Sequence, residues 1–270
     1  MYSRFNYIPT QDFYDNVLKK YLSVGNAIYE KHGKKFQNCL ADYISTDGVI
    51  NGTALKHNWF SISENDVFIS HSHKDINRVK AFAGWLHEVF GLTAFIDSCC
   101  WNYCDDLLRE IDKKYCYNST TKTYNYNLRN YTTSHIHMML STALTEVIDK
   151  TECILFFNTP NSTNIKTELN KIEGNRKEET ESPWIYHELF ITSVLNPKQN
   201  QRRSLIENSR NTFTDGDLHI RYDVEKYLRE LTLLDELDLS DWVSAWRAMK
   251  NNGAQMHALD LLYRIISKKE

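Results

Sequence analysis

No apolar run in the 270-residue chain approaches the roughly 18 residues that a membrane-spanning helix needs. The first ten residues, MYSRFNYIPT, lack the apolar core of a secretory signal. Both absences point to a cytoplasmic protein with no membrane partner. Proline and glycine are scarce, at four and nine, which argues against a loop-dominated or disordered chain. Charge of one sign is missing too. Thirty-two basic residues stand against 35 acidic ones, for a net charge of −3, so no general electrostatic attraction to nucleic acid is expected. The six cysteines form no C-x-x-C pair, and His135 and His137 are only two apart, so no metal site is expected. Without a signal sequence those cysteines read as free thiols.

What is present is ordinary for a globular domain: 41% hydrophobic and 25% charged residues. Aromatics reach 13%, with 16 tyrosines. Asp66 to Asp75 reads DVFISHSHKD. Val67, Phe68 and Ile69 are a short run of β-formers. A polar Ser/His loop follows, and then Val79, Phe82, Leu86, Val89 and Phe90 recur at helical spacing. That is a buried strand, a loop and an amphipathic helix. In an open parallel sheet, ligands bind at the carboxyl ends of strands, where this loop would sit. The plainer alternative is an ordinary turn whose Ser and Asp cap the helix.

The same pattern recurs along the chain. Thr93–Ile96 predicts a second strand, ending at Asp97 and Ser98; Cys153–Phe157 predicts a third. Leu218–Tyr222 and Leu231–Leu234 are short strand candidates. Helices are expected over 11–43, 133–150, 182–195, 241–249 and 255–267, and residues 161–180 read as a polar loop, partly helical. Strands alternating with helices indicate an α/β fold with a parallel sheet. The reading divides the chain into an N-terminal helical extension, 1–63, and a main domain, 64–270. A polar, aromatic insertion runs from about 99 to 133; Asp105–Lys114 reads as a helical turn or two, and Tyr115–Tyr131, which alternates Tyr with Asn and Thr, suggests a surface hairpin.

Ser182-Pro183 is a clean helix start, since Ser is a strong N-cap and Pro is favoured at the first helical position. Trp184 and Glu188 then lie one turn apart on the same face. A carboxylate held against an apolar wall has a raised pKa, which suits acid–base work or anchoring a sugar hydroxyl. The alternative is a Glu at the rim of a surface helix, where its replacement would barely affect folding.

DVFISHSHKD, TAFIDS, ECILFFNT and SPWIYHEL together resemble the Toll/interleukin-1 receptor (TIR) domain family. Ser182, Trp184 and Glu188 match its Ser-x-Trp-x-x-x-Glu motif residue by residue, and the likeness covers about 64–265. It implies a flavodoxin-like fold with a central five-stranded parallel sheet and helices on both faces. For a bacterial stand-alone member it implies an enzyme that cleaves the nicotinamide–ribose bond of NAD, as substrate rather than cofactor. The product would be an ADP-ribose-derived signal in anti-phage defence, read by a downstream effector. It also implies self-association through TIR–TIR contacts. Glu188 becomes the catalytic carboxylate. Ser70 and His71 would hold ribose or phosphate, Asp97 would approach them, Trp101 would stack on a base or on nicotinamide, and Trp184 would wall the pocket. The alternative within the resemblance is a non-enzymatic scaffold that binds other TIR domains.

Overall fold

The computed structural model describes residues 3–34, 40–46, 48–59, 64–167, 176–195 and 221–269. Five strands form its central sheet: β1 (Ser3–Tyr7), β2 (Val67–His71), β3 (Ala94–Ile96), β4 (Cys153–Phe157) and β5 (Thr232–Leu234). Their spatial order is β5-β1-β4-β2-β3, and every pairing is parallel. Helices cover both faces, as expected of a flavodoxin-like α/β fold.

Two strand assignments need correcting. Ser3–Tyr7, read as part of a helical extension, lies in the middle of the sheet, hydrogen-bonded to β4 on one side and β5 on the other. Its sequence, SRFNY, alternates polar and aromatic residues, and Phe5 and Tyr7 are buried. A five-residue alternation next to a chain end is a weak signal by itself; burial between two neighbours is what selects the strand. Near 218–222, expected to supply a central strand, Tyr222–Asp223 instead adds to a separate antiparallel sheet. Residues 218–220 lie outside the described residues. The main members of that small sheet are Asn164–Thr167 and Arg176–Thr180, within the stretch read as a loop.

Side chains alternate across the main sheet with the period of two that strands impose. Phe5, Tyr7, Val67, Ile69, Leu155 and Phe157 point to one face. There they meet the helices α2 (Ile76–Phe90), α6 (Glu236–Asn251) and α7 (Ala258–Ile266). Phe68, Phe95 and Ile154 point to the other, under α3 (Ser98–Ile111) and α4 (Tyr126–Lys150). Phe156 lies beneath α5 (Pro183–Val194), against Ile185 and Leu189. Gly91 ends α2 in the left-handed conformation, φ 73°, with its N–H on the His87 and Leu86 carbonyls, the stop its position predicts.

The insertion contains the expected helical segment and hairpin, but its helices are longer than its composition suggests. It holds α3, one π-helical turn and a two-residue-per-strand hairpin, Tyr117–Asn118 with Thr123–Tyr124; α4 then starts at Tyr126 rather than near 133. Buried Asp112 fastens it, accepting from Arg129 Nε at 2.8 Å and Thr132 Oγ1 at 2.9 Å.

Helix α1 (Leu22–Lys34) crosses α2 at a contact made of glycines. A Cβ built on Gly25 would lie 1.8 Å from the Lys80 carbonyl oxygen, and one on Gly84 would lie 2.4 Å from that of Tyr21. Gly25→Ala would gain up to about 1 kcal/mol of helix propensity. Here, however, the methyl group meets backbone, so the helices must separate, and overpacking costs about 1–3 kcal/mol or more. The expected result is a net loss of stability, read as a lower urea midpoint; a Gly25→Ala protein as stable as wild type would refute the close crossing.

Candidate functional site

Strand β2 feeds β3 on one side of itself, and the chain then returns to place β4 on the other. The switch point of the sheet therefore lies between the carboxyl ends of β2 and β4. Ser70 and His71 stand there, paired in register with Phe156 and Phe157.

Ser70 shares its sheet face with Phe68, the face that α5 covers. Ser182 caps α5, its hydroxyl accepting from Ile185 N at 3.2 Å, and Ile185 and Leu189 seat the helix on Phe156. Arg4 of β1 donates to the Thr192 carbonyl at 2.7 Å, placing a cation at the carboxyl end of the helix, where its dipole favours one. This mounting brings Glu188 to Ser70. The Ser70 hydroxyl donates to Glu188 Oε2 at 2.6 Å, and Glu188 is only 1% exposed. The sequence-based alternative of an exposed rim carboxylate is thereby corrected. Helical periodicity placed Glu188 on the apolar stripe, but it could not say that the stripe packs down onto a strand end.

His71 and Asp97 form the second pair. His71 Nδ1 lies 2.5 Å from Asp97 Oδ1 and 3.3 Å from the Ile69 carbonyl oxygen. It faces only acceptors, so it carries the proton. Asp97 Oδ1 also accepts from Ser98 N at 2.6 Å, at the start of α3. Asp75 belongs to the same neighbourhood. Rather than capping α2, its carboxylate accepts from Thr159 Oγ1 at 2.5 Å and Asn161 Nδ2 at 3.0 Å, tying the loop after β4 to the loop after β2. Sequence reasoning singled out neither Thr159 nor Asn161. Their only signal was polarity directly after an apolar strand.

The electrostatics follow from burial. Desolvation, and then the negative charge of Asp97, push Glu188 well above the ordinary carboxyl range, while the Ser70 hydrogen bond opposes them. Burial works against a charged His71. The charge and hydrogen bond of Asp97, helped by the Ile69 carbonyl and Asp75, outweigh it and hold the imidazole above its usual value. Three buried polar atoms around the cluster have no protein partner: Glu188 Oε1, His71 Nε2 and Ser98 Oγ. Such atoms are costly unless something else satisfies them.

The linkage has one sign for both groups. The unfolded chain loses the Glu188 proton near 4.5, whereas the folded chain keeps it to higher pH, so stability falls as pH rises above that value. The contribution of His71 is whole below 6.5 and is lost as pH climbs through its raised value. The unliganded protein should therefore melt at progressively lower temperature as pH rises from about 5 to 8. Glu188→Gln should flatten the lower part of that slope. A melting temperature that rises over this range in wild type, or an identical slope in the variant, would contradict the buried, protonated assignment.

The structure thus gathers Ser70, His71, Asp97 and Glu188. Trp184 packs toward α4, its ring 5.5 Å from that of His137 at 82°, within the apolar cluster that includes Ile191 and Leu195. Trp101 lies on α3, but its side chain is outside the described residues. Among the described residues no three His, Cys, Asp or Glu side chains are placed to hold a metal ion, and no helix is long and apolar enough to cross a membrane. Comparison of the chain with protein-family models, with curated proteins and with solved structures finds no match to any of them.

Proposed function

We propose that the protein cleaves the nicotinamide–ribose bond of NAD, with Glu188 as the catalytic carboxylate. One observation carries this reading. A buried Glu, a strand-end Ser and a His–Asp pair converge at the topological switch point of a parallel sheet, with unsatisfied polar atoms among them.

The chemistry suits the groups. Nicotinamide departs with the bonding electron pair as a neutral molecule, so departure needs little acid help. The ribosyl cation left behind needs a nearby anion and fixed hydroxyls, as in glycoside cleavage. It is then captured by water or by a sugar hydroxyl, which loses its proton. Glu188 is protonated in the closed cluster; a cationic nicotinamide ring beside it favours the ionised form. Ser98 Oγ can donate to a ribose or diphosphate oxygen, while His71, oriented by Asp97 with its proton on Nδ1, presents Nε2 to the ligand as an acceptor when neutral and as a donor when protonated. The TIR resemblance adds an ADP-ribose-derived product, cyclic or conjugated, a downstream effector that reads it, self-association and a cytoplasmic setting.

The burial of Glu188 also favours a second reading, in which the cluster is structural and the protein is a scaffold for other TIR domains. Purified protein incubated with NAD, with products resolved by mass spectrometry, separates the two. Release of nicotinamide with an ADP-ribose-type product supports the enzyme. Intact NAD at every protein concentration tested supports the scaffold.

A further inference from the structure

We propose that the insertion and the segment before β2 build a second binding site, for a small, uncharged, flat aromatic molecule. The site stands apart from the Glu188 cluster and does not rest on the NAD reading. A cavity of about 470 Å³ opens between residues 48–55, the end of α3 and the first half of α4. That volume falls within the range of ligand pockets, about 300–1,000 Å³.

Its floor is apolar and buried: Leu55, Ile111 and Ile136. Its mouth is aromatic, with Tyr115 and Tyr131 both exposed and His135 beside Tyr131, ring centroids 4.5 Å apart at 72°. Tyr131 is 65% exposed, which leaves most of the side chain open to a partner. A flat π-system entering here gains edge or face contacts with these rings and buries apolar surface on the floor.

The space exists partly because position 52 carries no side chain. A Cβ on Gly52 would meet only the tip of Met139, at 3.0 Å from Cε. The lining also sets the charge of the ligand. Among the described residues no Lys, Arg, Asp or Glu lines the cavity. Asp112, next in sequence to the lining Ile111, is held by Arg129 and Thr132. An anion resting on the apolar floor would lose its hydration with no cation among the described lining residues to replace it, so an uncharged ligand is favoured there over a phosphate or nucleotide. The polar groups at hand are hydroxyls and an imidazole: Thr132, Tyr115, Tyr131 and His135. They match an amide or a ring N–H rather than a charge.

The chain has five methionines, and Met139 lines the cavity while Met249 and Met256 are in the C-terminal segment. Methyl-labelled methionine NMR therefore reads the site directly. Indole and benzamide should shift the Met139 methyl resonance saturably, with affinity on the order of 0.1–1 mM for so few atoms. Met249 and Met256 should not move. Benzoate, with the shape of benzamide but a charge, should bind at least about 10-fold more weakly. Gly52→Val, which fills the cavity, and Tyr131→Ala, which removes an exposed wall and leaves the fold intact, should each weaken indole binding about 10-fold. The proposal is overturned if neither neutral ring shifts Met139 by about 10 mM, if benzoate binds as well as benzamide, or if Tyr131→Ala binds indole as wild type does.

Discussion

Glu188→Gln should lower NAD cleavage by about 10²-fold or more while leaving the protein folded. The substitution keeps shape and removes the only negative charge that helix α5 is proposed to bring to the ribosyl cation. Its effect on stability differs from that of a surface change. Glu188 is buried, accepts from Ser70 and is held protonated by burial and by Asp97. A neutral amide can still accept from Ser70, and it no longer disfavours the fold at higher pH by resisting ionisation. At pH 8 the variant should thus be at least as stable as wild type and far less active. Activity of wild type should rise with pH as Glu188 ionises, even as stability declines. Loss of activity with loss of fold would point to a structural cluster. Undiminished cleavage would remove Glu188 from the mechanism and leave the sheet untouched.

The cluster was legible in outline because its members lie at places where local rules are strong. Ser70, His71 and Asp97 follow short apolar runs, and Glu188 sits one turn into a helix whose start Ser182-Pro183 announces. What the chain order could not express was depth. Whether Glu188 faces solvent or Ser70 depends on how α5 docks on Phe156, a tertiary contact that periodicity does not contain. Asp75 shows the same limit. Its position fits a helix cap, yet its partners, Thr159 and Asn161, come from the loop after β4. The insertion misled through composition. Tyr, Asn and Thr are weak helix formers, but Asn125 caps α4 through Leu128 N and Asp112 anchors its first turn, so the helix starts seven residues early. Ser3–Tyr7 was missed because SRFNY mixes polar and aromatic residues, whereas β2 and β4 carry the continuous apolar runs that mark a buried parallel strand.

That strand gives the second large effect. Phe5→Pro should abolish the folded state. Phe5 lies at the centre of β1, in register with Leu155 of β4 and Thr232 of β5, and its ring is 2% exposed. Proline removes a ladder N–H in the middle of a sheet, and the buried acceptor left unpaired costs about 1–3 kcal/mol. Loss of a buried phenyl adds about 3 kcal/mol. The sum approaches the lower end of the whole stability of an ordinary domain, about 5–15 kcal/mol. Deleting residues 1–9 should do the same by opening a gap between β4 and β5, leaving β5 without a neighbour and α5 without Arg4. Ile8→Ala, at an exposed position just past the strand, should change stability by less than about 1 kcal/mol and serves as the control. Circular dichroism and urea titration of the three proteins distinguish a central strand from a dispensable extension. If the chain lacking residues 1–9 unfolds cooperatively at the wild-type midpoint, β1 is not part of the sheet, and the loop-to-helix geometry built around Glu188 must be redrawn without it.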